Sequence, residues 1–108
     1  MDKTTRFDAA EYLTTPEAQA EFITAALETG DAAYVRDAVG VVARARGMAE
    51  IAKAAGLNRE SLYRALGSAG NPEFSTMLRV LDALGIALTA RARTEPRKPV
   101  KKKTRKAA

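Results

Sequence analysis

The stretch MAEIAKAAGLNRESLYRALG, residues 48–67, limits what this chain can fold into more than any other segment. Its apolar residues suit a helix up to position 55 and a second helix from position 59. Gly56 between them tolerates the positive φ of a tight bend. Two helices that cross steeply after a turn of three or four residues need a small residue at the crossing. Ala52 stands there, four positions before the glycine. Ile51, Ala55, Leu57, Leu62 and Ala65 fill the interface, and Asn58 caps the second helix. The segment reads as a helix-turn-helix.

The flanking sequence supplies three further helices. Thr15-Pro16-Glu17 is a helix start, with a hydroxyl cap, proline at the first position and a carboxylate near the positive dipole end. That helix is expected over 16–29, with Phe22, Ile23, Ala26 and Leu27 inward and Gly30 as its stop. Asp31 caps a second helix to Arg46, with Val35, Val39, Val42 and Ala43 as its buried stripe. GSAGNPEF, residues 67–74, reads as a loop. Ser75 is expected to cap a fifth helix to Leu84, with Met77, Leu78, Leu81 and Leu84 inward. Residues 86–93, IALTARAR, alternate loosely and suit a short strand. Such a strand needs a partner, for instance the same strand of a second subunit. Tyr12 and Leu13 in the lead-in can pack on the first helix.

At 108 residues with 46% apolar content, one compact domain over 1–93 is expected. Much of the apolar share is alanine, which favours close helix packing, so the fold class is all-α with five helices. Residues 94–108 hold two prolines, dense positive charge and a single valine, and read as a disordered basic tail.

Several functions are excluded. The chain has no cysteine and no histidine. Disulfides, thiolate metal sites and Ser-His or Cys-His catalysis are therefore ruled out. The carboxylates, such as Glu17 with Glu21 or Glu28 with Asp31, read as solvated faces, so neither an enzyme nor a cofactor is expected. No apolar run spans a bilayer and no signal peptide is visible, which suggests a cytoplasmic protein.

The net charge of +5 is unevenly placed. Residues 91–108 carry nine Lys/Arg against one Glu, and residues 1–90 carry nine against twelve Asp/Glu. The body is thus acidic, yet residues 44–67 hold Arg44, Arg46, Lys53, Arg59 and Arg64 against only Glu50 and Glu60. A basic patch on an acidic body points to a polyanion at that patch. With Leu62, Ala65 and Leu66 inward, Asn58, Arg59, Glu60, Tyr63 and Arg64 face outward, and Ser61 lies at the margin. These types suit base edges of double-stranded DNA: Arg for guanine, Asn for adenine, Tyr for a thymine methyl or a phosphate. Arg59 and Tyr63 are the leading base readers. Glu60 either accepts from cytosine or orients Arg59 or Arg64. The amides of 48–50 and the loop residues Ser68 and Asn71 are candidate phosphate contacts. Tyr63 also suits plain surface packing. Arg44 and Arg46 also suit the negative end of their helix. The tail suits either solubility or non-specific attraction to DNA.

From Phe7 to Ala92 the chain resembles the addiction-module antidote family. The resemblance rests on FDAAEYLTTPE, on VARARGMAEIAKAAGLNRESLYRALG and on GNPEFSTMLRVLDALGI. It implies a Cro/C1-type helix-turn-helix, a cognate RelE/ParE-like toxin and repression of the shared operon. The tail after Arg93 goes beyond the family pattern. Repressors of this kind dimerise to read paired half-sites. Residues 86–91 and the face of Arg79, Asp82 and Ala83 are candidate homodimer contacts. Helix 1 with the lead-in, or the tail, could meet the toxin. A stand-alone phage-type regulator without a toxin, and an interaction module with a merely structural helix-turn-helix, are the alternatives.

Overall fold

A computed structural model describes residues 13–94. The tail from residue 95, Tyr12 and the earlier lead-in lie outside the described residues. Five helices follow in order: α1 (Pro16–Leu27), α2 (Ala32–Arg46), α3 (Met48–Ala55), α4 (Arg59–Ala65) and α5 (Phe74–Ala83). Local chemistry sets most of their ends. Thr15 Oγ1 accepts from the Ala18 amide at 3.1 Å, ahead of Pro16. Asp31 Oδ1 accepts from the amides of Ala33 and Tyr34 at 3.0 and 3.2 Å. Gly47 closes α2 through its bond to the Ala43 carbonyl and opens α3 by accepting from the Ile51 amide.

Two ends differ from the sequence expectation. α1 stops at Leu27 because the amides of Thr29 and Gly30 bond only three residues back, to Ala26 and Leu27. α5 starts at Phe74, so Ser75 lies inside it. The Met77 amide already bonds the Glu73 carbonyl, which makes Glu73 the N-cap, without a side-chain bond.

The core gathers Leu13, Ile23, Val39, Val42, Ile51, Leu62, Val80 and Leu84, all essentially sealed from solvent. α3 is its axis, packed by α2, α4 and α5, while α1 rests on α2. The stripe of α5 is Met77, Val80, Leu81 and Leu84, the i, i+3, i+4, i+7 spacing of one helix face. Leu78, expected inward, lies one position off that face and is exposed, and Val80 takes the inward place. Leu27 at the end of α1 is exposed as well.

Residues 86–93 form no strand, and there is none among the described residues. With no second strand to satisfy its backbone, the segment runs irregularly beside α1, with Ile86 against the core and Arg91 3.6 Å from Glu28.

Candidate nucleic-acid interface

The bend between α3 and α4 is built from main-chain bonds. Gly56 has φ 74°, a left-handed geometry that suits glycine. The Leu57 amide donates to the Ala52 carbonyl at 2.9 Å and the Gly56 amide to the Lys53 carbonyl at 3.1 Å. This pair is a Schellman closure, which uses two of the carbonyls a helix end leaves open. One more of these, and the carbonyl of the bend residue itself, are taken from outside. Arg79 on α5 donates from Nε to the Ala55 carbonyl at 3.1 Å and from Nη2 to the Gly56 carbonyl at 3.0 Å. The bend is thereby held both by its own chain and by α5.

α4 leaves that bend capped by Asn58, whose Oδ1 accepts from the Ser61 amide at 2.7 Å. Leu62 is fully buried and Leu66 nearly so, which fixes the rotation of the helix. Asn58, Arg59, Glu60, Tyr63 and Arg64 are consequently exposed and Ser61 is half-buried. The Arg59 guanidinium lies 5.6 Å from the Tyr63 ring centroid, so the two side chains stack across one helical turn. Asn58, Arg59, Glu60 and Tyr63 line one shallow depression. Glu60 forms no ion pair with Arg59 or Arg64 among the described residues, so it does not orient either of them.

Other expected residues lie elsewhere. Ser68 and Asn71 are exposed, but they line a separate groove beside α1, α2 and α5. Their loop is pressed onto α4: a side-chain carbon on Gly70 would collide with the Ala65 carbonyl. Arg36 on α2 donates to the Gly70 carbonyl at 2.9 Å and pairs with Asp37 at 2.8 Å. Arg46 donates from Nη1 to Gln19 Oε1 at 3.2 Å and to the Leu84 carbonyl at 2.9 Å, and Gln19 bonds the Leu13 carbonyl in turn. These contacts give Arg46 a structural role, made to α1 and to the end of α5 rather than to the negative end of its own helix. Arg44, Lys53, Arg59 and Arg64 are exposed. No side chain caps α3, so its first amides are not occupied by the protein's own side chains. Sequence reasoning missed the Arg79 clamp altogether. Nothing local marks a bond that spans 23 or 24 residues.

A family model described as "Probable addiction module antidote protein" matches residues 3–92. The chain belongs to the addiction-module antidote family. An antidote answers a toxin, so a toxin partner of some kind comes with that membership. An uncharacterized protein of Haemophilus influenzae is 41% identical to this antidote over 80 residues, covering 74% of this chain and 82% of the relative. No solved structure matches. No helix among the described residues is long and apolar enough to cross a membrane, and no acidic cluster there could hold a metal ion.

Proposed function

We propose that this antidote is a sequence-specific DNA-binding antitoxin that represses its own operon and neutralises a cognate RelE/ParE-like toxin. In this reading residues 48–67 are a Cro/C1-type helix-turn-helix. α4 enters the major groove of operator DNA, and two copies read paired half-sites as a homodimer. The observation that carries the reading is the face of α4. Two arginines, a tyrosine and an asparagine stand exposed on a short helix whose base is locked by Gly56 and Arg79.

Arg59 and Arg64 supply the cationic donors for guanine edges or phosphates. Tyr63 holds Arg59 by stacking and offers its hydroxyl. Asn58 has its oxygen occupied by the cap, which leaves its amide NH₂ as the donor. Glu60, free of ion pairs with its arginine neighbours, can accept from cytosine. Ser61 lies at the margin. Family membership favours this reading over a regulator without a toxin.

The test is operator binding by fluorescence anisotropy on the chain's own promoter, with Arg59→Ala and Arg64→Ala. A base-contacting arginine contributes about 1–3 kcal/mol of discrimination, so operator affinity should fall roughly 5- to 150-fold with little change in melting temperature. Wild-type affinity in both variants would refute the assignment of α4 as the reading helix.

A further inference from the structure

The groove lined by Ser68 and Asn71 is mostly apolar, with Arg36 as its third polar side chain. Its volume is about 750 Å³, and Leu27, Phe74, Met77 and Leu88 form its floor and walls. Phe74 is 70% exposed, Leu27 41% and Leu88 38%. A folded chain rarely leaves such a cluster of large side chains open unless something covers it.

The charge around the groove narrows what that something is. Glu28 adjoins Leu27 of the lining and faces Arg91 at 3.6 Å. Asp31 and Glu73 each stand between residues that line the groove. Arg36, the one charged residue in the lining, has its guanidinium engaged by Asp37 and the Gly70 carbonyl. Asp31 and Glu73 beside the groove, with the Arg36 guanidinium already engaged, disfavour a polyanion there, and a small polar ligand finds no free charged group in the lining. A cationic polypeptide is attracted to it.

We propose that this groove seats the toxin, through a segment that presents large apolar side chains flanked by Lys or Arg. The proposal rests on the antitoxin reading above and adds its place and chemistry. None of Asn58, Arg59, Glu60 or Tyr63 lines the groove. The two surfaces are therefore distinct, one acidic and apolar, the other basic and polar. Aromatic residues and Met are enriched at such interfaces, and Phe74 and Met77 supply them here.

The probe is the product of the toxin gene adjoining the gene for this chain, immobilised and titrated with full-length chain. Phe74→Ser and Leu27→Gln remove exposed apolar surface, so both variants should fold and keep the wild-type melting temperature. Each should raise Kd for the toxin about tenfold or more while operator affinity is unchanged. Arg59→Ala should do the reverse. Added salt should weaken the wild-type complex. If wild-type chain binds the gene product and both groove variants bind it equally well, the groove assignment falls and the antitoxin reading stands. If the variants change only self-association, by sedimentation, the groove belongs to a second copy and the proposal is overturned. If wild-type chain does not bind the gene product at all, both readings fall together.

Discussion

Replacing Arg79 with methionine tests whether the bend before α4 depends on α5. Methionine keeps most of the aliphatic stem, so packing changes little and the loss falls on the guanidinium. Two bonds disappear: a half-buried one to the Ala55 carbonyl and an exposed one to the Gly56 carbonyl. A bond from a charged donor can contribute about 1.5–3 kcal/mol when shielded, but water competes here, so about 1 and about 0.5 kcal/mol are the fitting values. The sum, about 1.5 kcal/mol, lowers Tm by roughly 6–12 °C for a folded body of this size. Thermal denaturation followed by circular dichroism measures it, with Arg91→Met as the control. Arg91 meets Glu28 at 3.6 Å with both side chains largely in solvent, and its loss should shift Tm hardly at all. Arg79→Lys restores the charge but not the two-pronged geometry, so its melting point should fall between wild type and methionine. If Arg79→Met melts together with Arg91→Met, the clamp contributes nothing and the account of the bend is wrong.

Further changes probe the other supports. Leu62→Ala empties a fully buried position beneath α4 and should cost about 2–5 kcal/mol by urea titration, enough to threaten the fold. Gly70→Ala drives a carbon into the Ala65 carbonyl, and the forced shift should destabilise by about 1–3 kcal/mol in the same titration. Asn58→Ala removes the cap of α4 and should cost about 1 kcal/mol, whereas Asn58→Gly should cost only a few tenths. Equal melting points for those two variants would deny the cap its role.

What could be read from the sequence was what short-range chemistry decides. The bounds of α2 and α3 follow from Asp31, Gly47 and Gly56, each acting within a few residues of itself. The outward set on α4 followed from where Leu62 and Leu66 must go. One failure was local too. Leu78 and Val80 are both apolar, but the helical period set by Met77, Leu81 and Leu84 selects Val80, and the expectation of Leu78 inward broke that period. The other failures have the opposite character. The strand expected at 86–93 needed a neighbouring strand, and the described residues of this chain form none. The groove that Ser68 and Asn71 line was equally out of reach of the sequence, because it takes the loop's fold onto Ala65 to form it. Arg36, Arg46 and Arg79 each reach across 23 or more residues, and a basic side chain in a list does not reveal which carbonyl it will find.

Those three guanidinium groups share one property: each grips a main-chain oxygen, at Gly70, at Leu84, or at Ala55 and Gly56. Every amino acid carries that oxygen, so the acceptor side of each bond is blind to residue identity. Tolerance to change is therefore lopsided. Residue 55 or 84 can vary as far as packing permits without loosening its link, while the arginine opposite has no substitute offering the same fork of donors. In a saturation scan of the links to Ala55 and Leu84 the sensitive column would sit at the arginine and an ordinary packing position at the acceptor, whereas Gly56 and Gly70 are constrained for reasons of their own.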